Sequence, residues 1–194
     1  DEAAVLGRYV HRRLAREPLQ YITGHATFRG RHINVNQHVL IPRPETELLI
    51  DVARDVVHQT AGTEHTRLFI DVGTGSGAIA LSLACEFQNA RIVAVDVSTE
   101  ALQLARTNIA AYGASHNVEL VRGHLVSMIA TGVTADAIIA NLPYVRTGDL
   151  ANLSPEISRH EPWLALNGGP DGLSLVRCLC DDALRILKPS GWLL

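Results

Sequence analysis

From residue 67 onward, short apolar runs alternate with amphipathic segments, and this alternation restricts the possible folds more than any other feature. The apolar runs predict strands at residues 67–71, 91–96, 118–122, 135–140 and 191–194. The segments between them predict helices near residues 77–88, 98–112 and 171–187. Such alternation indicates an α/β fold: a mostly parallel, Rossmann-like sheet with helices on both faces. A sheet of this kind binds its ligand at the carboxyl ends of its strands.

The first part of the chain predicts smaller units. Apolar residues at helical spacing indicate an amphipathic helix at residues 3–16, which should pack on another element and end before Pro18. Short alternating runs at residues 26–28 and 33–35 indicate a small β-hairpin.

A further helix is predicted to begin at Pro44. Proline suits the first helical turn, and the acidic Glu45 and Glu47 complement its positive end. The expected buried stripe of this helix consists of Leu48, Leu49, Val52, Val56 and Val57.

Composition and charge exclude several classes of function. The chain has 194 residues and a net charge of -3, from 17 Lys and Arg against 20 Asp and Glu, with no basic block that would indicate nucleic acid. Its apolar runs are about as long as strands and far shorter than the roughly 20 residues of a membrane helix. Residues 1–4 do not resemble the basic start of a signal peptide. We expect a cytoplasmic protein.

Cysteine and histidine usage predicts no metal site. The three cysteines, Cys85, Cys178 and Cys180, have neither the number of a disulfide framework nor Cys-x-x-Cys spacing. The nine histidines are scattered without metal-ligand spacing. Reduced thiols packed as small apolar side chains are the expected state of the cysteines.

A glycine-rich turn follows the first predicted strand of the sheet. The sequence Asp-Val-Gly-Thr-Gly-Ser-Gly from Asp71 to Gly77 joins this strand to a predicted helix start. We call residues 73–77 the glycine loop. Glycines let a ligand approach the backbone, and a helix start offers free N–H donors. The pattern fits a nucleotide-like cofactor, although by itself it also satisfies the dinucleotide motif.

Acidic residues favour one of these cofactor types. The charge of Asp71 beside the glycine loop would repel a pyrophosphate, but it would attract the ammonium or sulfonium group of S-adenosylmethionine. Asp96 closes the next strand and can bind ribose hydroxyls with its two acceptor oxygens. The alternative interpretation is a glycine-rich turn with a helix-capping Asp.

A second motif, Asn141-Leu142-Pro143-Tyr144, directly follows the apolar run 137–140. We call residues 141–144 the acceptor turn. The Asn141 side-chain carbonyl and the Leu142 backbone carbonyl can accept both hydrogens of an –NH2 group, while the ring of Tyr144 stacks on it. This arrangement suits methyl transfer to a poorly nucleophilic nitrogen, for which positioning and desolvation supply most of the catalysis. An ordinary Asn-Pro turn is the alternative.

Further distinctive segments lie at residues 18–24, 39–47, 161–162 and 168–173. Together with residues 71–77 and 141–144, they resemble the HemK/PrmC family, the protein-(glutamine-N5) methyltransferases that modify peptide chain release factors. The glycine loop is common to a large superfamily. By contrast, Ile-Pro-Arg-Pro-Glu-Thr-Glu at residues 41–47 and Gly-Gly-Pro-Asp-Gly-Leu at residues 168–173 are far more specific.

The resemblance implies a fold and a domain organisation. The implied fold is a seven-stranded class I S-adenosylmethionine-dependent methyltransferase domain preceded by a small helical domain. Residues 1–17 would then end the helical domain, residues 18–43 would form a linker with the hairpin, and residues 44–194 would form the methyltransferase domain. Because residues 191–194 lie within a predicted strand, further C-terminal strands are expected outside this chain. The helices of the small N-terminal domain are expected outside it as well.

The resemblance also implies a reaction. S-adenosylmethionine would methylate the side-chain amide of glutamine in the Gly-Gly-Gln motif of peptide chain release factors 1 and 2, leaving S-adenosylhomocysteine. A monomer that needs neither nucleic acid nor a membrane is expected. The implied catalytic residues are Asn141, Leu142, Pro143 and Tyr144. The implied cofactor-binding residues are Asp71, Gly73, Thr74, Gly75, Gly77, Asp96, Val97, His124 and Asn141. The implied substrate-binding residues are Pro42, Arg43, Pro44, Glu45, Asn141 and Tyr144.

Two positions depart from the family pattern. Leu142 replaces the usual first proline of Asn-Pro-Pro-Tyr, but its carbonyl remains and the following proline still restricts its backbone. His124 stands where an acid commonly contacts the adenine amino group. A histidine can accept that hydrogen bond only when the appropriate ring nitrogen is neutral.

Three alternatives differ in the acceptor or in turnover. An adenine amino-methyltransferase would use the same turn on a flipped base, but it should show a basic track. A glutamine methyltransferase of a large-subunit ribosomal protein typically lacks Arg-Pro-Glu-Thr-Glu at the counterpart of residues 43–47. A binding protein that keeps the fold without turnover is favoured only by Leu142 and His124.

Overall fold

The structure, a computed structural model, describes residues 2–59, 66–130 and 132–194. The predicted hairpin is confirmed as an antiparallel pair, whereas the short helix α2 was not expected. The predicted first helix is also confirmed, but its apolar stripe is not buried, because α1 contains no buried residue. Arg12 in its last turn donates to the Tyr21 and Ile22 carbonyls. Arg13 and Arg16 form ion pairs with Glu156 in the short helix Pro155–His160. These elements are α1 (Glu2–Leu14), α2 (Leu19–Thr23), β1 (His25–Phe28) and β2 (Arg31–Asn34).

The next helix begins as predicted, with a 3₁₀ turn at Pro44–Thr46 that continues into α3 (Glu47–Gln59). Its predicted buried stripe is partly wrong. Leu48 and Val52 are 63% and 43% exposed, and the buried face contains Ile50 and Ala53 besides Val56. The prediction counted large apolar side chains, whereas the small Ala53 allows the helix to approach the core closely.

Five strands form the central sheet in the order β5-β4-β3-β6-β7, and every neighbouring pair is parallel. The strands are β3 (Leu68–Val72), β4 (Arg91–Asp96), β5 (Val118–Arg122), β6 (Ala135–Ala140) and β7 (Leu187–Leu193). The helices between and after them are α4 (Ala78–Glu86), α5 (Thr99–Ala111), α6 (Pro155–His160) and α7 (Ser174–Ala183). The predicted α/β architecture is therefore confirmed.

The last predicted helix and strand need correction. Helix α7 ends at Ala183 rather than near residue 187, and β7 begins at Leu187 rather than at residue 191. Pro189 and Gly191 lie inside this strand, and both residue types normally argue against a strand. Because β7 pairs only with β6 among the described strands, it lies at an edge, where a proline is tolerated.

Two apolar clusters cover the two faces of the sheet. On one face, side chains of β3 and β6 such as Phe69 and Ile139 pack with the hairpin, α3, α4 and α5. On the other face, Ile70 and Ile138 pack with α7 and with the segment around Val126. Successive strand residues point to opposite faces, so β3, β4, β5 and β6 each contribute to both clusters.

Strand β3 lies between β4 and β6, so the chain reverses its direction of winding at this strand. The glycine loop, Asp96 and the acceptor turn follow the carboxyl ends of these three strands, where ligands of such sheets bind. The division of the chain at residues 17 and 43 stays a prediction. None of the helices in the described ranges is long and apolar enough to cross a membrane.

Candidate active site

A cavity of about 300 Å³ lies at the carboxyl ends of β3, β4 and β6. Its size falls at the lower end of the range typical of small-molecule sites. Four segments contribute most of its walls: the glycine loop, the ends of β4 and β5, the acceptor turn and the linker. The lining includes Val72, Gly73, Thr74, Gly75, Ser76, Asp96, Val97, Ser98, Gly123, His124, Asn141, Leu142, Pro143 and residues 37–40 and 42.

Backbone hydrogen bonds fix the glycine loop to the end of β4. The N–H groups of Gly73 and Thr74 both donate to the Val95 carbonyl, at 2.9 and 3.0 Å. The N–H of Gly75 donates to Asp96 Oδ2 at 2.8 Å. The loop is therefore held in place by the neighbouring strand, without a ligand.

Close packing explains the last glycine of the loop. Gly77 has a φ of +80°, and a Cβ at this position would lie 3.0 Å from the Cβ and 3.2 Å from the Cα of Ala105 in α5. A side chain would strain the backbone and push α5 away from the loop. Gly77 therefore serves the packing of the loop against a helix, while Gly73 and Gly75 line the cavity.

The structure places the Asp71 side chain beneath the loop and not in the wall of the cavity. The residue is fully buried, and its Oδ2 accepts hydrogen bonds from Thr74 Oγ1 at 2.6 Å and from the Ala80 N–H at 3.1 Å. None of the described residues donates a hydrogen bond to its buried Oδ1. Burial raises the pKa of this carboxyl to about 7, against the effect of both hydrogen bonds.

Replacing Asp71 with Asn is expected to change the pH dependence of stability. A carboxyl whose pKa rises on folding binds its proton more tightly in the folded state. Asp71 therefore lowers the free energy of unfolding as the pH rises from about 4 to about 7. Urea unfolding at pH 5 and pH 8 should show a steeper loss in the wild type than in Asp71→Asn. The control is Asp55→Asn, at an exposed position of α3. Parallel curves for the wild type and Asp71→Asn would contradict the assignment.

Asp96 lines the cavity with a carboxylate already held on both sides. Its Oδ2 accepts from the Gly75 N–H, and its Oδ1 accepts from the Ser98 N–H at 2.9 Å. Each carboxylate oxygen can accept a further hydrogen bond. The side chain is thus oriented by the backbone and retains acceptor capacity toward the cavity, as the predicted contact with ribose requires.

Val97 and His124 also line the cavity, and the His124 side chain is exposed. Its backbone carbonyl accepts from Ser127, which closes a tight turn after β5. The structure therefore brings all the predicted cofactor-binding residues to one cavity except Asp71 and Gly77, which support the loop from behind.

The acceptor turn borders the same cavity. Asn141 Nδ2 donates to Thr46 Oγ1 at 3.2 Å, and no described residue donates to the Asn141 side-chain carbonyl. Leu142 and Pro143 also line the cavity, where Leu142 lies against the glycine loop. Tyr144 is 69% exposed and lies outside the cavity wall. Its ring is therefore free to cover a group that enters beside Asn141.

A second glycine-rich segment, residues 168–172, supports the acceptor turn from behind, and we call it the late glycine turn. The Gly168 N–H donates to the Val145 carbonyl at 2.8 Å. A Cβ at Gly168 would lie 2.7 Å from the Pro143 carbonyl oxygen and 2.8 Å from the Tyr144 Cα. The two backbones touch, which gives the specific glycine pattern of this segment a physical reason.

Arg43 has a partner that the sequence did not predict. It does not line the cavity, and neither do Pro44 and Glu45, whereas Pro42 does. The Arg43 Nη2 donates to Glu161 Oε1 at 2.6 Å. The Glu161 side chain is 1% exposed, and within the described part of the chain no group donates a hydrogen bond to its buried Oε2. Arg43 therefore joins the linker to the segment after α6 and neutralises a buried carboxylate.

Arg43→Met is expected to lower the free energy of unfolding by about 2 kcal/mol at pH 8, because the Glu161 carboxylate loses its partner. Burial already raises the pKa of Glu161, so the loss should be smaller at pH 5, where this carboxyl can take up a proton. Urea unfolding at both pH values measures the effect. Adding Glu161→Gln should restore part of the stability at pH 8. Equal losses at both pH values would contradict this account.

Within the linker, the sequence predicted only residues 42 and 43 at the site. Phe28, Gln37 and His38 also contribute to the lining, although no motif marks them. Asn108 of α5 explains how this wall is held. Its side chain exchanges two hydrogen bonds with the Asn34 backbone, at 2.9 and 3.0 Å, and donates to the Ser76 carbonyl at 2.8 Å. One buried amide thus joins the hairpin to the glycine loop.

The charge of the cavity is distinctive. Asp96 is the only charged carboxylate among its lining residues, and no Lys or Arg side chain of the described chain lines it. A pyrophosphate normally requires cationic partners, helix N-termini or both. No cluster of potential metal ligands occurs within the described ranges.

Known proteins identify the family. A family profile described as a methyltransferase domain matches residues 69–161. The release factor glutamine methyltransferase of Gloeobacter violaceus is 46% identical over 174 residues, which cover 90% of this chain and 59% of that protein. The protein of the same name from Koribacter versatilis is 41% identical over 194 residues, which cover 100% of this chain and 67% of that protein.

The chain belongs to the release factor glutamine methyltransferase family. It spans about three fifths to two thirds of the length of these two family members. A solved structure, the N-terminal domain of human METTL16 in complex with SAH, matches with a TM-score of 0.59 and 17% identity. The match covers 88% of this chain and 64% of that one. At this identity it shows a shared class I methyltransferase fold. The HemK/PrmC resemblance is thereby confirmed.

Proposed function

We propose that this chain carries the catalytic site of an S-adenosylmethionine-dependent methyltransferase that acts on the side-chain amide nitrogen, N5, of a glutamine in peptide chain release factors. The observation that carries the proposal is the position of two acceptors, the Asn141 side-chain carbonyl and the Leu142 backbone carbonyl, beside the glycine-loop cavity, where none of the described residues donates to either oxygen. Family membership supports the same reaction.

The chemistry of the cavity fits S-adenosylmethionine. Asp96, oriented by two backbone N–H groups, would bind the ribose hydroxyls, and the backbone of Gly73 and Gly75 permits close approach. Above its pKa of about 7, the ionised Asp71 carboxylate adds negative potential beneath the loop, which favours a cationic ligand. When bound, this cofactor supplies the electrophilic methyl group.

The acceptor side selects a planar –NH2 group. Two carbonyl oxygens can accept its two hydrogens, which orients the nitrogen lone pair toward the cavity. Tyr144 would cover the plane of the amide, and Pro143 keeps the turn stiff. The chain places no strong general base here. We infer that positioning and exclusion of water are its main contributions.

The finer assignments extend this proposal. We propose that the acceptor is the glutamine of the Gly-Gly-Gln motif, that both release factors 1 and 2 are methylated, and that the enzyme acts as a cytoplasmic monomer without nucleic acid. Within the substrate-binding set, Pro42 and the acceptor turn would contact the acceptor, while Arg43, Pro44 and Glu45 would act through the position of the linker. The near-neutral net charge of -3 supports a protein acceptor rather than a nucleic acid.

A mass measurement tests the proposal. The full-length protein is incubated with S-adenosylmethionine and unmodified release factor. After digestion, the mass of the peptide that contains Gly-Gly-Gln is measured by mass spectrometry. The expected result is a gain of one methyl group on that glutamine. Large-subunit ribosomal protein and adenine-containing nucleic acid are tested in parallel. Methylation of either one instead of release factor would overturn the acceptor assignment, and methylation of none would support a binding protein.

A further inference from the structure

Thr46 is the protein partner of the Asn141 side chain. It ends the 3₁₀ turn Pro44–Thr46 and lines the cavity beside the acceptor turn. Its Oγ1 accepts a hydrogen bond from Asn141 Nδ2 at 3.2 Å, across 95 positions of sequence.

The orientation of an Asn amide decides whether it can bind an –NH2 group. Rotation by half a turn about the last side-chain bond exchanges the carbonyl for an N–H donor. In the rotated state, the Asn141 N–H would face the substrate –NH2 group and repel it. One hydrogen of the substrate –NH2 group would then lose its hydrogen-bond partner. A partner that engages Nδ2 therefore keeps the carbonyl available.

The backbone around Thr46 is well suited to hold this partner still. The Thr46 N–H donates to the Arg43 carbonyl at 3.0 Å, and Pro44 restricts the turn between them. Arg43 is in turn bound to the buried Glu161. The backbone that carries the Thr46 hydroxyl is therefore held by the hydrogen bond to Arg43 and by the Arg43–Glu161 ion pair. Little conformational entropy of this turn is left to lose when a substrate binds.

We propose that Thr46 is a positioning residue that sets the Asn141 amide so that its carbonyl accepts from the substrate nitrogen. This role rests on the proposed function, because it presupposes an –NH2 acceptor at the turn. Thr46 contributes through Asn141 and not through the cofactor. Loss of its hydroxyl should therefore lower turnover and leave cofactor affinity unchanged.

Thr46→Val and Thr46→Ser in the full-length protein test this role. Valine keeps the shape but removes the acceptor oxygen, so kcat on release factor should fall about tenfold, the size expected for one hydrogen bond. Serine should restore kcat to within about threefold. The dissociation constant for S-adenosylmethionine, measured by calorimetry, should change by less than about twofold in both variants. The control is Thr107→Val, whose hydroxyl bonds the Gln103 carbonyl on an exposed face of α5.

A double-mutant cycle separates positioning from general destabilisation. In an Asn141→Ala background, Thr46→Val should lower kcat no further, because the group it positions is absent. In the free enzyme, the Asn141 side-chain N–H resonances should shift in Thr46→Val and not in Thr46→Ser.

Two failures can be told apart. If wild-type enzyme does not methylate release factor, the proposed function is wrong and this inference falls with it. If the wild type is active but Thr46→Val has the same kcat, the positioning role alone is wrong. The same holds if Thr46→Val lowers kcat as much in the Asn141→Ala background as it does in the wild type.

Discussion

Asn141→Ala should lower kcat on release factor by about 1000-fold, in line with the loss of one preorganised group that binds the reacting centre. The side chain supplies one of two acceptors for the substrate –NH2 group, and the Leu142 carbonyl cannot orient the nitrogen alone. The affinity for S-adenosylmethionine should change much less, because Asp96 and the glycine loop remain intact. Single-turnover methylation and calorimetry measure the two quantities on the same preparation.

The matched control is Asn152→Ala, at an exposed position at the end of the 3₁₀ segment Thr147–Asn152. It removes the same type of side chain at a position that does not line the cavity, so its kcat should equal that of the wild type. Turnover near the wild-type value in Asn141→Ala would remove the acceptor turn from the mechanism. An equal loss of cofactor affinity and turnover would instead make Asn141 a cofactor ligand.

The sheet could be predicted from the sequence because its signals are local. The strands at residues 91–96, 118–122 and 135–140 are short runs rich in apolar residues, and the structure places them at the predicted residues. The strand containing Pro189 and Gly191 was predicted too short, because local propensity at these residues opposes a strand that pairing with β6 stabilises. The buried face of α3 was misjudged for a related reason, since a small Ala53 carries no strong apolar signal.

The meeting of the glycine loop and the acceptor turn could also be predicted, because both follow strands of one parallel sheet. The contacts that orient their side chains could not. Thr46 and Asn141 are 95 positions apart, and Arg43 and Glu161 are 118 positions apart. The periodicity of apolar residues does not predict contacts between side chains so far apart in the sequence. For this reason Arg43 was expected at the substrate, whereas the structure gives it a buried carboxylate as its partner.

The supporting contacts have a common consequence for the site. Thr46, Glu161 and the late glycine turn each hold a segment of the cavity through a contact that needs no ligand. Such preorganisation lowers the ordering cost when a substrate binds. It matters most for an amide nitrogen, since a poor nucleophile leaves positioning as the main source of rate. Substitutions behind the acceptor turn should therefore reduce turnover even where they touch no substrate.

Gly168→Ala should show this effect. The added Cβ would lie 2.5 Å from the Gly172 carbonyl oxygen and 2.7 Å from that of Pro143. Both neighbours are backbone atoms, so relief requires the acceptor turn or the late glycine turn to move. We expect kcat to fall roughly 100-fold, as misplacement of about 1 Å can cause. The free energy of unfolding should fall by about 3 kcal/mol, at the upper end for overpacking.

Gly148→Ala is the control, because a Cβ at Gly148 meets no atom within 4 Å and its backbone needs no positive φ. That variant should keep both stability and turnover. Since the glycine loop is held by Val95 and Asp96, folded Gly168→Ala should still bind S-adenosylmethionine within about threefold of the wild-type affinity. Binding at that level together with a loss of turnover would show that the late glycine turn sets the geometry of the acceptor turn. Unchanged kcat in Gly168→Ala would show that the turn tolerates displacement, and the preorganisation argument would fail at this contact.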